Sequence, residues 1–441
     1  MTQNTARENP ARAEDEVVDI CRGLIRIDTT NPGDHSGPGE REAAEYVAGL
    51  LSEVGLEPVV HESYPKRTSL VARVEGENPQ REALLIHGHL DVVPANASDW
   101  ERDPFGGEVE DGCVWGRGAV DMKDMDAIML AVIRQRLREG RKPPRDVVLA
   151  FTADEEAGGN WGARFLSEKH PDLFEGVTEA ISEVGGFSVT VGSQRMYVMQ
   201  TAEKGLAWMR LIAEGTAGHG SMIASDNAVV RLAEAITRIG QHEWPVRLTP
   251  SVRALLGAVS EATGIEFDPE CPEPLLEQLG AMSRMIGATV RNTVNPTRLQ
   301  AGYKVNVVPQ SATAEIDGRF LPGYEEEFFA EIDKLLGSGI RREFIHHDIA
   351  LETMADGALY EAMTGALLAE DPEAKVVPYC MSGGTDSKWF SKLGIRCFGF
   401  SPLRLPPELD FSGMFHGINE RVPVDGLEFG VRVLDRFLDN C

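Results

Sequence analysis

Three apolar runs of this chain stop at side chains that bind metals. They are ALLIHGHLDVV (83–93), VVLAFTADEE (147–156) and AISEVGG (180–186). GRGAVDMK (116–123) lies between the first two, and FHGINE (415–420) lies near the C-terminus. Together they supply His89, Asp91, Asp121, Glu155, Glu156, Glu183 and His416, with no cysteine among them. Short β-branched runs that stop at glycine or charge read as buried parallel strands. Ligands of open α/β sheets gather beyond the carboxyl ends of such strands. The pattern therefore predicts one cleft in which these distant residues meet around a metal.

Each residue has a chemical reading. His89 and Asp91 are two apart at a strand end, so both side chains face the same way. A ligating histidine donates its other N–H to a carboxylate, which fixes the tautomer, and the Asp91 carboxylate is placed to accept it; the alternative is a buried histidine beside a turn aspartate. Asp121 precedes a helix, where it is either an N-cap or a carboxylate giving one oxygen to each of two ions. Glu155 and Glu156 form either a solvated acidic turn or a pair in which one binds metal and the other stays free as a base. Such neighbours raise each other's pKa unless a cation lies near. Oxygen and imidazole ligands suit zinc, cobalt or manganese. Five of them with one shared aspartate suit two ions about 3.5–4 Å apart. His346 and His347 read as structural.

The positioning elements follow from periodicity. Helices are expected at 13–27, 40–54, 122–140 and 161–169, alternating with strands at 68–76, 83–93, 147–153 and 179–184. This alternation implies an α/β fold with a doubly wound, mostly parallel sheet. After residue 199 the pattern changes. Strand 203–215, helix 226–240, two alternating strands, helix 325–337 and strand 342–352 give the order of a ferredoxin-like α+β unit. A Pro-punctuated helical excursion at 245–290 interrupts it. From 355 the first pattern resumes. The chain thus reads as a catalytic domain (1–199 and 355–441) with an inserted domain (200–354).

Composition narrows the function. The 441 residues carry a net charge of −27, which argues against nucleic acid or an anionic membrane as partner. There is no membrane-spanning apolar run. The first sixteen residues lack the apolar core of a secretory signal, and the first dozen are expected to fray. Six scattered cysteines suit reduced thiols in a cytoplasm.

These motifs, in this order, resemble the dinuclear zinc metallopeptidase family of aminoacylase, carboxypeptidase G, succinyl-diaminopimelate desuccinylase and acetylornithine deacetylase, over roughly residues 15–440. The resemblance implies that His89 and Glu183 hold one zinc, that Glu156 and His416 hold the other, and that Asp121 bridges them. It makes Asp91 the residue that orients His89, and Glu155 the general base. In AGHGS, His219 is similar to a histidine that reaches into the partner subunit's active site and stabilises the oxyanion. Asn306 in KVNVVP and Arg319 in DGRFLP resemble a lid pair that grips the substrate carbonyl and carboxylate. SGGTDS (382–387) resembles a carboxylate-binding loop acting through Gly384 and Thr385. The inserted domain becomes a lid and dimerisation domain.

The expectation is a cytoplasmic, homodimeric two-zinc amidohydrolase, with cobalt or manganese able to substitute. It cleaves N-acyl amino acids or short peptides with a free α-carboxylate. The rival readings are a deacylase of acetylornithine or succinyl-diaminopimelate, an aminopeptidase, and an inactive zinc-binding scaffold. The Glu form of the third-strand acid, Glu183, leans toward N-acyl or C-terminal bonds.

Overall fold

The strand Ala83–His89 is buried along its whole length, and its alternation decides which face each side chain serves. Ala83 and Leu85 join one apolar cluster with Val148, Ala150, Leu166 and Trp389. His87 follows them, its ring 4.7 Å from that of Phe390. Gly88 faces the other way, where a Cβ would collide with the carboxylate of Asp126 in the helix Lys123–Glu139. Only glycine lets that helix lie so close to the strand end.

The computed structural model describes residues 12–441, the side chains at 281, 282 and 285 excepted, so the expectation of fraying falls outside the described residues. The chain divides into two compact units. The first holds the described residues up to Gln200, with Ala355–Val377 and Thr385–Cys441. The second holds Thr201–Met354 and Pro378–Gly384, so the 378–384 segment groups with the second unit and not with the C-terminal part of the first.

In the first unit the strands Val147–Thr152, Ala83–His89, Val177–Ser182 and Arg396–Gly399 lie side by side and parallel. The register puts His89 beside Thr152. Antiparallel strands flank this parallel core, Val59–Tyr64 and Arg67–Val74 on one side and Gln194–Glu203 on the other. The fold is thus mixed α/β with a parallel centre. Val59–Tyr64 escaped the sequence reading because its side chains are half exposed and carry no apolar alternation. The helix Lys123–Glu139 closes at Gly140, whose φ of +69° is a left-handed cap that favours glycine.

In the second unit the strands Thr293–Ala301, Ser311–Phe320, Gly205–Glu214 and Ile340–Asp348 form an antiparallel sheet in that order. Ala207, Met209, Leu211 and Ala213 point into a core completed by Leu232, Ile239, Phe328 and Ile332 of the helices Ala228–Gln241 and Glu325–Leu336. Trp208 and Arg210 face the open side. The 245–290 excursion is helical, opening with Pro250–Thr263 under a Thr249 cap. His346 and His347 pair with Asp348 and Glu325, as structural histidines do.

His87 carries a testable consequence. Burial lowers its pKa from 6.5 to about 3, and Ser182 Oγ lies 3.2 Å from Nδ1. Between those pH values the folded chain binds one proton fewer than the unfolded chain, so stability falls as pH falls through the window. The loss reaches about 1.4 kcal/mol per pH unit at most. Urea unfolding from pH 7 to 4 should show this slope in the wild type and a shallower one in His87→Gln. Equal slopes would show that His87 does not set it.

Candidate metal centre

His89 ends its strand with Nε2 aimed at three carboxylates. Nε2 lies 3.1 Å from Asp121 Oδ1, 3.5 Å from Glu183 Oε2 and 4.0 Å from Glu155 Oε2. A second imidazole, His416, sits 3.2 Å from the other oxygen of Asp121 and 3.1 Å from Glu156 Oε2. Asp121 therefore gives one oxygen to each histidine, and each histidine has its own glutamate. Within this cluster His89 groups with Asp121 and Glu156, and also with Glu155 and Glu183. All seven residues named at the outset converge. Asp121 is not an N-cap, because Met122 takes that position and the helix has no side-chain cap.

Asp91 requires a correction. His89 Nδ1 lies 2.9 Å from the backbone carbonyl of Asp91, while the nearer carboxylate oxygen is 3.7 Å away. The carbonyl fixes the ring, which leaves Nε2 free for metal. The carboxylate accepts the Glu155 and Glu156 backbone N–H groups instead, at 3.0 and 3.1 Å. It thereby pins the turn that carries Glu155 and Glu156. Glu156 is aimed further by Val93, whose N–H donates to Oε1 at 3.1 Å and leaves Oε2 toward His416.

Behind Asp91 lies a network that sequence reading missed. Asn31 Nδ2 donates to Asp91 at 2.8 Å and to Asp154 at 3.2 Å. Arg67 Nη2 donates to Asn31 at 2.7 Å, and Arg67 pairs with Glu40. All of these side chains are buried. Arg67 and Glu40 read as ordinary surface charges in the sequence. Their pairing depends on a contact between elements that no local spacing reveals.

The electrostatics fit a cation. Burial and the charge of Glu183 push Glu155 well up, and burial with Asp121 raises Glu156 to about 7. Hydrogen bonds to Asp121 and Glu156 raise His416 to about 11. Burial opposes a proton on His89, but the Glu183 charge and the Asp121 bond outweigh it and raise His89 as well. These shifts mark surplus negative charge, which divalent ions complement. Tetrahedral bonds of about 2.0–2.1 Å place neighbouring ligand atoms roughly 3.4 Å apart. The observed 3.1–3.5 Å spacings match that requirement.

In the second unit, His219 and Asn306 meet at one short two-stranded antiparallel ladder, Gly218–His219 with Val307–Val308. His219 pairs with Val307, and Gly220 N–H donates to the Asn306 carbonyl at 2.9 Å. His219 is exposed, with Nδ1 2.8 Å from Ser221 Oγ. Arg319 is elsewhere. It stands at the Phe320 end of Ser311–Phe320, while Asn306 lies beyond the Ser311 end. At about 3.3 Å per residue, Ser311 to Arg319 alone spans roughly 26 Å. Within one chain Asn306 and Arg319 therefore stand too far apart to hold one small substrate together. Gly384 groups with Arg319's end, beside Glu203 and Lys204. Thr385 is buried, and its hydroxyl accepts the Ser387 N–H at 3.1 Å.

A cluster of carboxylates and imidazoles spaced for two ions at the ends of parallel strands defines a metal-dependent hydrolase. The sequence model of Peptidase family M20/M25/M40 matches residues 85–440, and the chain belongs to that family. It is 27% identical over 447 residues to N-fatty-acyl-amino acid synthase/hydrolase PM20D1 of Xenopus tropicalis, covering 96% of this chain and 86% of that one. It is also 27% identical over 447 residues to Aminoacylase-1 of Mus musculus, covering 98% and 95%. Among solved structures, the M20 family metallo-carboxypeptidase Sso-CP2 from Sulfolobus solfataricus matches with a TM-score of 0.72 at 19% identity, covering 97% of this chain and 99% of that chain.

The shared oxygens of Asp121 set the expectation for its removal. Asp121→Ala should retain almost no metal after dialysis, and elemental analysis that still found two ions per chain would remove Asp121 from the bridge.

Proposed function

We propose that this chain is a cytoplasmic two-zinc amidohydrolase acting on N-acyl amino acids or short peptides with a free α-carboxylate. The observation that carries the reading is Asp121, with one oxygen toward each imidazole and a separate glutamate beside each. His89 and Glu183 would hold one ion, His416 and Glu156 the other, with cobalt or manganese able to replace zinc. When bound, the ions would polarise the scissile carbonyl and acidify water. Glu155 is the residue left without an ion of its own. Its carboxylate takes the proton of the attacking water and delivers it to the leaving amine. The aminoacylase and N-acyl amino acid hydrolase names among the relatives support the substrate class. No helix among the described residues is long and apolar enough to cross a membrane, and no disulfide joins the described cysteines.

In this reading Arg319 holds the substrate carboxylate and Gly384 supports it. Arg319 is oriented by Asp317, which accepts from Nε at 2.7 Å and Nη2 at 3.1 Å and leaves Nη1 for a ligand. His219 and Asn306 act on the carbonyl. A dipeptide spans about 7 Å, far less than the separation of Arg319 from the two-stranded ladder that carries His219. If both touch one substrate, they come from different subunits. The ferredoxin-like unit then serves as lid and dimerisation domain of a homodimer. Exposed Met222, Ile223, Tyr303 and Val305 beside His219 and Asn306 supply apolar surface for such association.

The test of the reading is a comparison of N-acyl amino acids with their amides on the zinc-loaded protein. The acids should be cleaved well and the amides poorly, because only the acids engage Arg319. Equal rates would reject the carboxylate clamp, and preference for a free amine would make the enzyme an aminopeptidase.

Subunit exchange tests the dimer. Glu155→Gln should lose about 10²–10⁴-fold in kcat as a base variant, and His219→Ala should be nearly inactive yet dimeric. Mixed to full exchange, the two should recover roughly a quarter of wild-type activity, since one site in four then combines an intact Glu155 with a partner's His219. No recovery after verified exchange would place His219 within its own chain or outside the reaction.

A further inference from the structure

The two halves of the centre are built differently. His89 and Glu183 adjoin strands, where the ladder fixes the backbone. His416 lies in a loop without regular structure, at a φ of +57° that a side-chain-bearing residue rarely adopts. Something other than secondary structure must hold it opposite Asp121.

We propose that Glu420 and Arg117 form a clasp that sets how tightly the second ion, the one assigned to His416 and Glu156, is held. Glu420 is fully buried. Its Oε1 accepts the Val120 N–H at 2.7 Å, and its Oε2 accepts Arg117 Nη1 at 2.7 Å. Arg117 Nη2 donates to the Gly417 carbonyl at 2.9 Å, and the Gly116 N–H donates to the Glu420 carbonyl at 3.0 Å. The guanidinium lies over the Trp100 ring, 5.1 Å from its centroid.

The contacts fall at telling places. Val120 immediately precedes Asp121, and Gly417 immediately follows His416. One ion pair thus grips the neighbour of the bridging carboxylate and the neighbour of the loop imidazole. The quantity it fixes is the His416–Asp121 separation of 3.2 Å. A buried ion pair adds little net stability over apolar residues of the same volume, so stability alone does not account for it. Glu420 and Arg117 are positioning residues, because neither lies among the clustered ligand atoms. A carbonyl or carboxylate supporting a ligand from behind typically changes metal affinity by about 10–100-fold.

The inference rests on the two-ion reading, and its test keeps the two apart. Wild type, Glu420→Gln and the double variant Arg117→Met/Glu420→Met are loaded with zinc and equilibrated in buffers of graded free zinc. Metal per chain is measured by elemental analysis, and folding is followed by circular dichroism. Glu420→Gln keeps an acceptor for Val120 but turns an amide toward Arg117. The double variant replaces the pair with apolar bulk, so it guards against loss of fold through one unpaired charge. Both variants should hold the first ion with wild-type affinity and the second 10–100-fold more weakly. Second-ion affinity within twofold of wild type, or equal weakening of both ions, would overturn the clasp. A wild-type chain that binds only one ion would overturn the two-ion reading and the clasp together.

Discussion

Like charges forced together are the constraint around which this molecule is organised. Asp121, Glu155, Glu156 and Glu183 lie within about one ion's reach of two imidazoles, and Asp91 stands directly behind them. Carboxylates at such separations in a buried place repel one another unless positive charge lies between them. The surrounding chain resists that repulsion with fixed geometry. Asp154 (φ 67°), Val184 (φ 55°) and His416 (φ 57°) adopt left-handed backbone beside or at ligands. Each costs on the order of 1–3 kcal/mol, which the packing of the parallel sheet and the buried Arg67–Glu40–Asn31 network offset. The site is held open against its own electrostatics, and a cation relieves the stress.

The clustering of these carboxylates and imidazoles was legible because residues suited to metal leave a local mark in the sequence. An apolar strand ending in HGHLD or ADEE is short enough to be read without knowing what lies beside it. The helices Lys123–Glu139 and Ala228–Gln241, and the central strands, follow from periodicity for the same reason. What escaped was whatever depends on contacts between distant segments. Arg67, Glu40 and Asn31 carry no motif, and neither does the pairing of Glu420 with Arg117. The edge strand Val59–Tyr64 has too little burial to alternate. Asp91 shows a subtler limit. Its spacing from His89 was read correctly, but spacing cannot tell a carbonyl from a carboxylate. Asn306 and Arg319 are close in sequence yet stand at opposite ends of an extended strand, where proximity in the chain means distance in space.

Division of labour follows the same physics. His89 and Glu183 sit at strand ends of the first unit, where a ladder holds the backbone, while Asp121, Glu156 and His416 lie in turns and loops beside them. The residues assigned to substrate lie at a short ladder and at strand termini of the second unit, with exposed side chains such as His219. Rigid support suits groups that must meet an ion within tenths of an ångström. Groups that meet a diffusing substrate tolerate looser mounting.

The order of the central strands bears on how the protein is made. Arg396–Gly399 lies between Val177–Ser182 and Gln194–Glu203 in space, yet the ribosome delivers it only after the whole of residues 201–354. In an emerging chain the edge of Val177–Ser182 that Arg396–Gly399 covers therefore stays unpaired until synthesis is nearly finished. Such edges template wrong pairings. A net charge far from zero opposes association between copies, and the −27 carried by this chain works against pairing of that kind.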